Sequence, residues 1–122
     1  MPTQLGHEGC FAPDGMVYYM ADTSTITPID LSDPTKPREL SAPWAREIHG
    51  CSISDDGKRG YFGDIGKKSL LTADTSQVQA RVPHPQMKDV GERDNPGNGG
   101  QKATNPVTYD GQTHGLSWSE QV

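Results

Sequence analysis

His7, Glu8 and His49 are the residues of this chain whose types could do chemistry together, since two imidazoles and a carboxylate are acceptable ligands for zinc or another transition metal. No short fixed spacing joins them, so the pattern points to a ligand-binding or hydrogen-bonded role. No metal, cofactor or catalytic residue is expected, and enzyme activity is not the favoured reading. Asp22 and Asp64 offer a second pair. A carboxylate at a strand end can act as a general base, but far more often it caps a turn by accepting backbone N–H groups. Cys10 and Cys51 lie in neither a CxxC motif nor a Cys/His knuckle, and one pair cannot staple a small fold by itself. Ser52 and Ser54 stand outside any G-x-S-x-G motif. Gly99-Gly100-Gln101-Lys102 lacks the Gly before the lysine, and the hydroxyl after it, that a phosphate loop requires.

Positioning these residues is the task of a repeat. His7-Glu8-Gly9-Cys10 through Asp22 can be laid over His49-Gly50-Cys51 through Asp64. The Gly-Cys pairs are 41 residues apart, the Asp14-Gly15 and Asp56-Gly57 corners 42 apart, and Asp30-Leu31-Ser32 matches Asp74-Thr75-Ser76 at 44. A period of this size fits either propeller blades or paired-helix repeats. Asp-Gly between apolar runs is a hairpin signal, and Met16-Val17-Tyr18-Tyr19-Met20 and Gly60-Tyr61-Phe62 have strand-forming side chains. Third strands follow at Thr25–Asp30 and Ser69–Ala73, and fourth strands are expected at Arg38–Leu40 and Gln79–Val82. Pro28 counts mildly against the first of these third strands.

The fold class that follows is all-β: four-stranded antiparallel blades of an incomplete β-propeller whose ring is open rather than closed. Residues 1–43 form the first blade, 44–82 the second, 83–103 a flexible Gly/Pro-rich connection and 104–122 a partial third blade around Asp110-Gly111. Adjacent blades diverge from the axis, so Cys10 and Cys51 are expected to be reduced. Closing a ring takes about 4–8 blades, so the chain reads as a fragment of a longer protein, a truncated product, or a unit that completes its ring with other copies, the first two being favoured. Its open edges are expected to expose apolar side chains, with Val17, Tyr19, Phe62 and Leu70 as candidates, and to allow self-association.

His7-Glu8-Gly9, Ala12-Pro13-Asp14-Gly15, Ile29-Asp30-Leu31-Ser32-Asp33-Pro34 and Ala73-Asp74-Thr75-Ser76 together resemble the LVIVD-repeat and YncE-like β-propeller family. The resemblance covers about residues 5–82 well and 104–118 loosely. It implies blades around a channel in an exported or cell-surface bacterial protein, with no established reaction. Under it, His7, Glu8 and His49 fall at the channel rim of a non-catalytic module that binds a protein or small ligand. The alternative is part of a metal-dependent or lactonase-like propeller hydrolase.

Composition removes other classes. Fourteen glycines and ten prolines imply many turns, and the net charge of −5 argues against nucleic acid as the partner. Lys67-Lys68 is too small a basic tip for that purpose, and Trp44 and Trp118 read as packing anchors. No run of about 18 apolar residues is present, so no membrane span is expected. Met1-Pro2-Thr3-Gln4 does not start a secretory leader.

Overall fold

The computed structural model describes residues 8–22, 24–41, 43–94, 101–109 and 111–119, with backbone alone for 101–109 and 113–119. Strands dominate, as the repeat predicts. Sheet 1 contains β1 (Glu8–Phe11), β2 (Val17–Ala21), β3 (Thr25–Asp30) and β4 (Arg38–Glu39) in that order, with β5 (Trp44–Ala45) also pairing with β3. Sheet 2 contains β6 (Ile48–Ile53), β7 (Arg59–Asp64), β8 (Ser69–Asp74) and β9 (Lys88–Asp94) in order. A helical turn, α1 (Ser76–Gln79), precedes β9, and β10 (Gln101–Tyr109) pairs with β11 (Gln112–Ser119). All pairings are antiparallel and no sheet closes on itself.

The two Asp-Gly corners are built alike. In the first, the Ala12 N–H bonds to the Val17 carbonyl at 2.8 Å and the Gly15 N–H to the Ala12 carbonyl at 2.9 Å. In the second, Ser54 to Arg59 and Gly57 to Ser54 repeat the pattern, both at 2.8 Å. Gly15 and Gly57 have φ of 71° and 72°, which a side chain would strain. These are four-residue turns with glycine in the left-handed position, not the two-residue turns that Asp-Gly suggests. The aspartates serve as local caps: Asp14 accepts the Met16 N–H and Asp56 the Lys58 N–H.

Alternation decides which face of each strand is buried. Val17, Tyr19 and Ala21 on β2, with Ser69, Leu71 and Ala73 on β8, turn inward. Together with Ile26, Ile48, Phe62 and Val78, the apolar side chains among them form one core between sheets 1 and 2. The Tyr19 and Phe62 rings lie 6.4 Å apart, and Trp44 meets Phe62 edge-on at 6.0 Å. Val17, Tyr19 and Phe62, expected on an exposed surface, are therefore fully buried, because each sheet supplies the cover that the other lacks.

Pro28 sits inside β3 without breaking it. On the far side of β3 from β2, β5 pairs with Thr25 and Ile26 while β4 pairs with Ile29 and Asp30, leaving a gap at Pro28. Its carbonyl accepts the Leu40 N–H at 2.9 Å on that side, so the ring nitrogen faces the gap, where no ladder donor is needed.

Two expectations fail downstream of β8. Gln79–Val82 is not a strand: Asp74 accepts the Ser76 N–H at 2.8 Å, Gln79 and Ala80 N–H groups close a helical turn, and Val78 is buried beneath it. The turn ends at Arg81, whose φ is 52°. The outer strand comes later, as β9, within the stretch expected to be a flexible connection. Arg81 then reaches back across the sheets to Asp14 at 3.2 Å and lies 3.9 Å from Asp30.

Cys10 and Cys51 form a disulfide with Cα atoms 5.7 Å apart, so the expectation of reduced thiols is wrong. Tyr19 and Tyr61 are 42 residues apart, like the corners, whereas the cysteines are 41 apart. Cys10 pairs with Tyr19, but it is Ser52 that pairs with Tyr61, and Cys51 pairs with Phe62. A one-residue slip reverses the face of a strand side chain. Cys10 thus points from sheet 1 toward sheet 2, and Cys51 points back. The inner strands β1 and β6 are also where the two sheets lie close, since β1 packs against β6.

Asp30, which pairs with Arg38 where β3 meets β4, provides a test of that edge of sheet 1. It is 2% exposed, with Oδ1 accepting both the Ser32 hydroxyl at 2.7 Å and its N–H at 2.9 Å, while Arg38 donates twice to Oδ2 at 3.0 and 2.8 Å. Burial pushes its pKa up, but these donors and the Arg38 charge outweigh burial and hold it at about 2, below the usual 3.8. A folded value below the unfolded one means stability that is present above about pH 4 and lost as pH falls toward 2. Urea unfolding at pH 5, 3 and 2 should show this loss, and Asp30→Asn should flatten it. An unchanged pH slope in Asp30→Asn would contradict the assignment.

Candidate functional site

The start of β1, the end of β2, the start of β6 and the end of β7 share one end of the two sheets. Glu8 opens β1 opposite Ala21. His49 follows Ile48, which pairs with Asp64, and precedes Gly50, which pairs with Gly63, so His49 is the extra residue of a bulge. Bulges re-aim side chains. Here the result is that His49 Nδ1 lies 3.0 Å from Glu8 Oε2, across from one sheet to the other. Glu8 lies two residues before Cys10, and His49 two before Cys51, so this contact and the disulfide form successive rungs between β1 and β6. The structure therefore brings together two of the three residues read from sequence. His7 lies outside the described residues.

Asp22 and Asp64 are at the same end, in capping roles. Asp22 Oδ1 accepts the N–H groups of Ser24 at 2.7 Å and Thr25 at 2.6 Å, and the Ser24 N–H is the main reason its pKa is lowered. Asp64 is nearly inaccessible and its Oδ1 accepts the Lys67 N–H at 2.9 Å. Both carboxylates are committed to their turns.

A pocket of about 410 Å3 opens beside them, lined by Ser24, Ala45, Arg46, Glu47, Asp64, Gly66 and Lys67. That volume is within the range for small-molecule sites, roughly 300–1,000 Å3. It is formed where the β5–β6 linker passes between the β2–β3 and β7–β8 turns. Arg46 is fixed by an ion pair with Asp89 and lies over the Trp44 ring, 5.4 Å from its centroid. Lys67 Nζ stands 3.5 Å from Glu92, which also accepts the Ser69 hydroxyl at 2.6 Å. That hydroxyl, first, and Lys67 lower the pKa of Glu92.

Walls of both charge signs, anchored by partners behind them, can orient a small polar ligand through hydrogen bonds. The Ser24 hydroxyl in those walls donates to Asp22 Oδ1 at 3.1 Å, the same oxygen that caps the turn. Among the described residues, no group of three or more His, Cys, Asp or Glu is placed to hold a metal ion. Sequence reasoning missed Arg46 and Glu47; their signal was a charged pair immediately before Ile48-His49-Gly50. It also passed over His114-Gly115 in β11, which repeats the His49-Gly50 dipeptide.

No family model matches the chain, and no curated protein matches it. Among solved structures it is similar to hydrazine synthase from Kuenenia stuttgartiensis, with 18% identity and a TM-score of 0.48 over 75% of this chain. The chain spans 24% of the length of that protein's chain. No helix among the described residues is long and apolar enough to cross a membrane.

Proposed function

We propose that this chain is a run of β-propeller repeats of the LVIVD or YncE-like kind, acting as a non-catalytic module that binds a protein or small ligand at the end bearing Glu8 and His49. Two four-stranded meanders with matching corners support the blade reading, as does the order of neighbours, in which β1 lies against β6 and β6 against β10. The observation that carries the binding role is the Glu8–His49 contact between the sheets, at the same end as the pocket around Arg46 and Lys67. A disulfide between inner strands fits an exported or cell-surface protein, because such bonds persist in oxidising compartments.

The test is a titration of isotope-labelled protein with a library of small polar fragments and, separately, with Zn2+. Fragment-induced shifts should cluster on Arg46, Glu47, Asp64 and Gly66 and should weaken at least tenfold in Arg46→Ala. Shifts confined to other surfaces would overturn the placement. Stoichiometric zinc that is lost in His49→Ala would overturn the non-catalytic reading in favour of a metal-dependent hydrolase, in which a carboxylate on His49 Nδ1 would act as a second-shell orienting group.

A further inference from the structure

The charges in the wall of the pocket at the Glu8 and His49 end differ in how they are partnered. Arg46 donates to Asp89 of β9 and lies over the Trp44 ring, and Lys67 faces Glu92, also on β9. Both cations are thus neutralised from behind. The two wall carboxylates, Glu47 and Asp64, have no cationic partner among the described residues. Asp64 is 2% exposed, and its turn uses one oxygen: Oδ1 accepts the Lys67 N–H at 2.9 Å, while no hydrogen bond from the described residues reaches Oδ2. A buried carboxylate is stabilised by donors and opposite charge, and Asp64 has little of the first and none of the second. Glu47 is held beside it. Its carbonyl accepts the Ile65 N–H at 2.9 Å, and its side chain lies over Gly66, where a Cβ would overlap Oε2.

We infer that this pocket takes a small organic cation, an ammonium group on a compact body, held by the Glu47 and Asp64 carboxylates. The inference rests on the ligand-binding reading of this end and deepens it by naming the charge of the ligand. An anion would have to compete with Asp89 and Glu92 for cations already paired, whereas an ammonium meets carboxylates with spare acceptor capacity. Asp22 adds a further negative charge behind Ser24, and Lys68, the other lysine of the β7–β8 turn, is not in the wall. A bare metal ion is the poorer fit, since no group of three His, Cys, Asp or Glu among the described residues is placed to hold one. Arg46 serves the wall, so its loss acts through the linker that it pins to β9.

Chemical-shift titration of the labelled protein with three matched probes, benzylammonium, benzyl alcohol and benzoate, and separately with Ca2+ alone, tests it. Benzylammonium should bind roughly tenfold tighter than the alcohol or the acid and shift Glu47, Asp64 and Gly66. Gly66→Ala keeps every charge but displaces the Glu47 carboxylate, and Glu47→Gln keeps the size but removes the charge. Each should bring benzylammonium down to the level of the alcohol at unchanged melting temperature. Equal binding of the three probes at this wall, or a preference for benzoate, would overturn the inference while leaving the ligand-binding end in place. An undiminished ammonium preference in both variants would also overturn it, as would displacement of benzylammonium by stoichiometric Ca2+. Failure of all three probes to shift this wall would overturn both the inference and the reading on which it rests.

Discussion

Reduction of the Cys10–Cys51 bridge is expected to lower the midpoint of thermal unfolding by roughly 10–15 °C. The bridge joins residues 41 apart, and closing a loop of that length in the unfolded chain corresponds to about 4 kcal/mol in the chain-entropy description. For a chain of 122 residues each kcal/mol moves the midpoint by roughly 3–4 °C. The thin hydrophobic complement makes this contribution a large part of the total, since domains of this size are stable by only about 5–15 kcal/mol. Calorimetry with and without a reductant measures the effect, and a Cys10→Ser/Cys51→Ser double variant should melt like the reduced protein and ignore reductant. Two titratable thiols in the untreated protein, or identical melts in both conditions, would mean that the inner strands do not face one another.

Phe62→Ala should cost about 3–5 kcal/mol, whereas Phe11→Ala should cost less than about 1 kcal/mol. Both residues are phenylalanines on strands next to an Asp-Gly corner. They differ in what covers them. Phe62 is fully buried against the Tyr19 ring and the edge of Trp44, so its removal leaves a cavity that two sheets must share. Phe11 lies against the Tyr18 ring and is more than half exposed. Urea unfolding of each variant, read as a shift in midpoint at constant slope, separates the two cases. Equal losses would show that the faces are assigned the wrong way round.

Much of the architecture was legible in the residues because turn chemistry is local. Asp-Gly at matched spacing located both corners, and alternation in Val17-Tyr18-Tyr19 and Ser69-Leu70-Leu71 described half-buried strands. What escaped depends on contacts between distant segments. Gln79–Val82 has strand-compatible residues, yet the Asp74 cap and the burial of Val78 draw the chain into a helical turn. The mostly polar, exposed β9 has no apolar pattern to announce it and exists through its ladder to β8. The disulfide was present in the sequence as the difference between spacings of 41 and 42, but that difference has meaning only once the period-two facing of a strand is applied to it. In the same way, Glu8 and His49 could be named from their types, while the contact between them required the bulge at His49. The pocket wall at Arg46 depends on Asp89, 43 residues away in a strand that was not foreseen.

The central claim is that two successive stretches of this chain fold as equivalent antiparallel sheets stacked through their inward faces. Nuclear Overhauser spectroscopy tests it most directly. The account predicts cross-strand backbone contacts at Cys10 with Tyr19 and, in the second stretch, at Ser52 with Tyr61, together with ring contacts between Tyr19 and Phe62. Absence of the Tyr19–Phe62 contact, or pairing of Cys51 rather than Ser52 with Tyr61, would contradict it.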